Sequence, residues 1–287
     1  MSNEQSELNV SEHRRDIAGL RYVYPVISRR AGGVSVGINL NTNNACNWRC
    51  CYCQVPDLKI GTAPPVDLAL LETELRGFLH ELLHGDFMQQ RVPAEARRIN
   101  DIAISGNGEP TSAAEFLQVI DLIEKCLNPL SFVSPLKLVL ITNGSLLQRE
   151  YVQQGLRKMA KLDGEVWFKL DRASEQGMQT VNDTRASLNS VRENLRMAIT
   201  CCPNTWLQTC WFALDGSPPS VQDEDDYLKF LSDMIATKIS PQGVLLYGIA
   251  RTSMQPEAPR LSALPLVDLE RFAKRIRALG VLVKVSE

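Results

Sequence analysis

The chain has 287 residues, 44% of them hydrophobic, eight cysteines and a formal net charge of -2. That length and apolar content suffice for one sizeable core, and the near-neutral charge excludes a global electrostatic pull towards nucleic acid while leaving local basic patches open. No run of eighteen apolar residues occurs and Met1 to Val10 is polar, so neither a membrane span nor a signal peptide is expected, and a cytoplasmic location fits cysteines bunched for metal rather than spread as a disulfide framework.

Residues 1–33 read as an irregular N-terminal extension. Its basic groups, His13-Arg14-Arg15 and Arg29-Arg30, are nearly cancelled by Glu4, Glu7, Glu12 and Asp16. Residues 34–287 read as one domain. Val34 to Leu40 alternates β-branched and small residues, which predicts a strand, and delivers Asn41 to Cys53 as the loop that follows it. Half of the cysteines fall in that loop, with Cys46-x3-Cys50-x2-Cys53 putting three thiols on one short stretch. Composition alone produces three cysteines at such offsets in about 0.6% of chains like this one. Soft thiolates select zinc, copper or iron–sulfur clusters, and a [4Fe–4S] cube normally takes four cysteines. Three would leave one iron open to a non-protein ligand. A closed zinc site wants four ligands, and Cys51, adjacent to Cys50, should diverge as a spare.

After Pro64-Pro65 the spacing of Leu68, Leu71, Leu75, Leu79 and Leu82 predicts a helix over Val66 to His84, stopped by Gly85. It contains His80-Glu81-Leu82-Leu83-His84, a match to the H-E-x-x-H zinc-protease pattern. His80 and His84 continue the line of Glu72 and Arg76, however, which is the polar face, so they are expected in solvent. Ile99 to Ser105 predicts the second strand, followed by Gly106-Asn107-Gly108-Glu109-Pro110 and a helix opened by Ser112 with Glu115 in capping-box spacing. Gly106 and Gly108 permit close backbone approach to a ligand, and Glu109 offers an acceptor for an ammonium group.

Leu136 to Thr142 is nearly all apolar and predicts a third strand buried on both faces, ending in Asn143-Gly144. The fourth, Glu165 to Leu170, runs out at Lys169-Leu170-Asp171-Arg172, where charges meet the end of a core strand. Thr184 to Ile199 predicts a helix and Trp206 to Ala213 the fifth strand. Cys201, Cys202 and Cys210 read as small buried hydrophobes rather than a second cluster. The acidic run Asp223 to Asp226 is expected to precede a helix, where negative charge suits the dipole. Gly243 to Ala250 predicts the sixth strand, bringing Tyr247 and Arg251 to its end, where a guanidinium would suit an anionic substrate. Val267 to Leu279 and Val281 to Val285 close the chain as helix and short strand. Six strand–helix units imply an α/β fold, a partial (β/α)6 barrel of parallel strands with outer helices, whose chemistry gathers on the loops after the strands' carboxyl ends.

The spacing of Cys46, Cys50 and Cys53, with Tyr52 before the last cysteine, resembles the signature of the radical S-adenosylmethionine (SAM) superfamily. The resemblance implies that these cysteines hold a [4Fe–4S] cluster, that the open iron chelates the methionine amine and carboxylate of SAM, and that one electron cleaves SAM to a 5'-deoxyadenosyl radical. Gly106-Asn107-Gly108-Glu109-Pro110 is similar to the family's Gly-Gly-Glu-Pro element beside the methionine amine, with Asn107 replacing its first glycine. The same resemblance puts Asn143 at SAM; since carboxylates bind ribose hydroxyls well, Asp171 is the expected ligand of the adenosine ribose, with Lys169 nearby as charge partner or contact to the SAM carboxylate. Tyr247 and Arg251 are the expected substrate contacts. Tyr24-Pro25, Gly32-Gly33, Gly37-Ile38-Asn39-Leu40, Cys53-Gln54-Val55-Pro56 and Lys169-Leu170-Asp171 look like the tRNA wyosine-synthetase-like branch, which implies an RNA substrate; a small metabolite is the other substrate class expected, and a flavodoxin or ferredoxin is the expected electron donor. The rival readings are a zinc-binding module without redox chemistry and a zinc protease built on His80 and His84.

Overall fold

In a computed structural model of the chain, the described residues are 8, 19–27, 32–130 and 136–286; His13-Arg14-Arg15 and Arg29-Arg30 lie outside them. One eight-stranded sheet organises the fold. Its strands, in spatial and chain order alike, are β1 (Val23–Ile27), β2 (Val34–Ile38), β3 (Ile99–Ile104), β4 (Lys137–Thr142), β5 (Glu165–Lys169), β6 (Thr205–Cys210), β7 (Val244–Tyr247) and β8 (Val283–Ser286). From β2 onward every neighbouring pair is parallel, and β1 alone is antiparallel. Among the described residues β1 and β8 are edges that do not pair with each other, so the sheet is an open barrel built around the six predicted strands. No helix of the described residues is long and apolar enough to cross a membrane.

The alternation of side chains along each strand decides which face meets which layer. Val34, Val36, Ile38, Ile102, Ile104, Leu138, Leu140, Val166, Phe168, Leu207, Val244 and Leu246 are at most 2% exposed and belong to the core shared with the helices. The opposite face carries Ser35, Asp101, Ile141, Trp167, Lys169, Gln208 and Tyr247 and lines a cavity. The expectation that Leu136 to Thr142 is buried on both faces holds for Leu138, Val139 and Leu140, each at most 2% exposed, and gives way at Ile141, which is half-exposed on the cavity side. Apolar composition hid this because an isoleucine suits a pocket wall as well as a core.

The first helix, α1 (Leu68–His84), buries Leu71, Leu75, Phe78, Leu79 and Leu82 and is capped by Asp67, which accepts from the Leu70 amide at 3.0 Å. Its Glu74 is also buried and accepts from the amides of Arg21, Tyr22 and Val23 at 2.8, 2.8 and 3.2 Å. This clamp holds β1 on the sheet, so the expectation of an irregular stretch up to residue 33 fails at Val23–Ile27.

Three further expectations change. Ser112 does not cap a helix: Pro110–Ser112 form a 3-10 turn, and the following helix, Phe116–Leu127, has Glu115 at its N-cap with no side-chain cap. The helix expected over Thr184 to Ile199 runs Leu188–Cys201, opened by the serine cap Ser187, and a separate helix that was not expected, Glu175–Asn182 capped by Ser174, precedes it. The acidic run lies inside helix Val221–Ala236 rather than ahead of it, with Ser220 and Asp223 forming the capping box; there the carboxylates still face the positive end of the dipole.

Candidate functional site

At the carboxyl ends of the strands a cavity of about 350 Å³ is lined by Cys46, Cys50, Cys53, Tyr52, Gly106, Gly108, Glu109, Asn143, Lys169, Tyr247 and Arg251. Eleven of the thirteen residues expected at the site therefore meet in one place, and Asn107 and Asp171 stand behind it.

The cysteine loop is held from four sides. Ala45–Cys46 pairs with Lys59–Ile60, which closes the loop on itself. The amide of Cys53 donates to the carbonyl of Cys50 at 2.9 Å, a turn that brings these two thiols together. The amide of Cys51 donates to Val181, and the hydroxyl of Ser253 donates to the carbonyls of Cys51 and Cys53 at 2.7 and 3.2 Å. Arg49 pairs with Asp183 and Glu257 at 3.0 and 2.9 Å. Cys46, Cys50 and Cys53 are half-buried on the cavity, whereas Cys51 is 3% exposed among Val181, Cys210 and Phe212. Burial pushes the Cys46 thiol up to about 12, with the field of Glu109 adding to it, and burial likewise raises the Cys50 thiol. Such thiols lose their protons only to a cation that replaces the missing solvation, which is how metals bind cysteine.

Gly106 and Gly108 line the cavity and also make room for the cysteine loop. A Cβ on Gly106 would lie 2.2 Å from Asn39 Oδ1, and one on Gly108 would lie 2.0 Å from the Ala45 carbonyl. Asn107 continues this support: its amide donates to Asn39 Oδ1 at 2.9 Å and its Nδ2 to Asn44 Oδ1 at 2.7 Å. It faces the loop from behind, away from the position expected of a cofactor contact.

The two carboxylates differ in how many donors they have spent. Glu109 is 2% exposed; Oε1 accepts from the Thr111 amide and hydroxyl and from the Thr142 hydroxyl, and Oε2 accepts from the Asn143 amide at 2.7 Å. Burial still raises its carboxyl above the ordinary value. Oε2 keeps acceptor capacity beyond its single hydrogen bond. Asp171 is sealed inside the fold and accepts from three donors. Its Oδ1 accepts from the Cys210 amide at 2.8 Å, its Oδ2 from Asn182 Nδ2 at 2.7 Å and from the Tyr52 hydroxyl, and Lys169 Nζ stands 4.0 Å away. With its side chain fully buried, Asp171 braces Tyr52 and Asn182, and Asn182 in turn donates to Cys50 Sγ at 3.3 Å. Burial works most strongly against the Lys169 ammonium, but the fields of Asp171, Tyr247, Cys50 and Cys210 together outweigh it and hold the amine well above its ordinary value. That ammonium lies 4.9 Å from the centre of the Tyr52 ring and donates to the Tyr247 hydroxyl at 3.4 Å.

Sequence reasoning missed Asn47, Asn182 and Ser145. Asn47 Oδ1 accepts from Asn143 Nδ2 at 2.8 Å and its Nδ2 donates to Ser145 at 2.7 Å, tying the end of β4 to the cysteine loop. These contacts join residues about a hundred positions apart, for which no local pattern exists. Among the described residues no three His, Cys, Asp or Glu side chains meet as ligands of a single ion, and this holds for the cysteine loop as for the histidines. His80 and His84 are exposed, with ring centres 5.0 Å apart. Cys201 and Cys202 sit near the start of β6 and Cys210 at its end, five residues or roughly 16 Å further along the strand, so they share no site.

No protein-family model matches the chain. It is 26% identical to a UPF0026 protein of Helicobacter pylori (strain J99) over 250 residues, which are 86% of this chain and 72% of that protein. Its structure is similar to Streptococcus suis SuiB bound to S-adenosylmethionine, with a TM-score of 0.56 at 12% identity over 90% of this chain, and the chain spans about half (52%) of SuiB. It is also similar to TYW1 with a lysine-pyruvate adduct bound, with a TM-score of 0.53 at 14% identity over 85% of this chain and 73% of that one. Sheet order, a three-cysteine loop after the first parallel strand and these likenesses agree: the chain has the radical SAM fold.

Proposed function

We propose that the chain is a radical SAM enzyme that carries a [4Fe–4S] cluster on Cys46, Cys50 and Cys53, binds SAM beside it, and acts on an RNA or small-metabolite substrate with an electron from a flavodoxin or ferredoxin. The observation that carries this reading is the convergence of three half-buried thiols and the partly unspent carboxylate of Glu109 on one cavity at the strands' carboxyl ends. When bound, the cluster and SAM would supply reductive cleavage of the sulfonium and with it a carbon-centred radical able to abstract hydrogen. The chain's own share is placement. Oε2 of Glu109 accepts from the methionine ammonium, and that positive charge stabilises the ionised form of a carboxylate that burial otherwise disfavours. Asn182, donating to Cys50, orients one ligand sulfur and tunes its basicity. Lys169, held protonated by Asp171, presents a fixed cation to the SAM carboxylate or the substrate.

Cys51, turned away into its own apolar cluster, supports three ligands rather than four. The test is anaerobic reconstitution with iron and sulfide, with about four irons and four sulfides expected per chain and SAM cleavage on reduction. Cys50→Ala should lose both. A variant that keeps iron, sulfide and SAM cleavage at the wild-type level refutes the assignment.

A further inference from the structure

Below the level of the cysteine loop the cavity continues down the concave face of the sheet to a second carboxylate. Asp101 on β3 is 8% exposed and lines the cavity, four residues or about 13 Å before Ser105 at the strand's end. Among the described residues its one hydrogen-bond partner is Ser35, the residue opposite it on β2, whose hydroxyl donates to Oδ1. Oδ2 accepts from no donor among the described residues, so most of the lone-pair capacity of this carboxyl is unspent. The nearest cation does not supply the deficit. Lys137, opposite Asp101 on β4, pairs instead with Glu165 at 2.6 Å, and Glu165 adds its own negative field to Asp101. Ala103, next along the same face, keeps the way open towards the rim. A sheet that gains nothing structural from an under-bonded carboxyl in its cavity wall has a use for it.

We propose that Asp101, positioned by Ser35, is the specificity-determining group for the substrate and takes a small organic molecule by its ammonium end, deep in the barrel, leaving the rest of the molecule towards the cysteine loop. This rests on the radical SAM reading above and narrows its substrate to an ammonium-bearing metabolite. The charge layout favours that orientation, since Lys169 and Arg251 line the rim while Asp101 lies at the floor, with the neighbouring Glu165 matched by Lys137.

The test uses the full chain without cluster or SAM, so its outcome is independent of whether the cluster assays succeed. Benzylamine, benzyl alcohol and benzoate are three probes of one size and three charges; their binding is measured by saturation-transfer NMR, with the indole N–H resonance of Trp167, which lines the same cavity, reporting the location. Benzylamine, as its ammonium, should bind about tenfold or more tightly than benzyl alcohol, benzoate should bind least, and Asp101→Asn should erase the preference. Equal binding of the three probes overturns the proposal without recourse to any variant. So does a preference that survives Asp101→Asn, or one that disappears in Glu109→Gln instead, which would place the ammonium at the other carboxylate.

Discussion

Asp171 offers the sharpest test of how the site is built, because its sealed carboxylate joins Cys210, Asn182 and Tyr52. Asp171→Ala strips the Cys210 amide, Asn182 Nδ2 and the Tyr52 hydroxyl of their common acceptor and takes the counter-charge from Lys169. Each orphaned buried donor costs about 1–3 kcal/mol. Removal of the carboxylate also recovers its own desolvation, so the net is bracketed by the cost of breaking a buried charged network from one side, about 3–5 kcal/mol. For a chain of this size that is a fall of roughly 6–20 °C in Tm. Urea unfolding measures it as a lower midpoint at unchanged slope. A second effect follows through Asn182, which joins Asp171 to Cys50: the variant should reconstitute with less iron even at temperatures where it remains folded. Asp171→Asn should fall between, since one oxygen can still serve the Cys210 amide while its NH2 faces donors. A loss below about 1 kcal/mol, within the range of ordinary surface substitutions, together with full iron content would refute the role of internal brace.

Two further substitutions separate loop geometry from ligation. Gly108→Ala places a Cβ 2.0 Å from the Ala45 carbonyl, a backbone clash that only displacement of the cysteine loop relieves; about 1–3 kcal/mol of stability should be lost, and iron content should fall although no ligand is touched, as measured by unfolding and metal analysis side by side. Cys51→Ala, by contrast, removes a buried thiol that faces Val181 and Phe212; it should cost about 1 kcal/mol and keep the full complement of iron, and a loss of iron in this variant would make Cys51 a ligand.

The features legible in the sequence are those with local periodicity or chemistry. The six parallel strands, the leucine face of α1 and the cysteine spacing each declare themselves within a few turns of chain. The solvent-facing His80 and His84 could be read from their place in line with Glu72 and Arg76. What escaped was non-local. Val23–Ile27 is a strand because Glu74, some fifty residues on, accepts from three amides at its start, and no pattern near Tyr24-Pro25 announces that. Ser112 stands in capping-box spacing with Glu115, yet its hydroxyl donates to the Glu109 carbonyl and accepts from the Ala63 amide, so a tertiary partner outcompetes the cap. The polar concave face was masked at Ile141 and Ala103, whose apolar side chains read as core.

The roles of the carboxylates follow from counting donors rather than from their place in a motif. Three acidic residues bear on the concave face, Glu109 and Asp171 at the reactive end and Asp101 at the floor, and the motif reading gives Asp171 to the cofactor and leaves Asp101 without a task. Hydrogen bonds and exposure change the weighting. Asp171 accepts from three donors and its side chain is sealed, so it braces what surrounds it. Glu109 accepts from four donors but keeps part of Oε2 for a cation at the rim. Asp101, with a single serine for company, keeps the most. Since a buried carboxyl is costly in proportion to its unmet bonds, the count that sets Asp101 apart by structural cost also sets it apart by the demand it makes on a ligand.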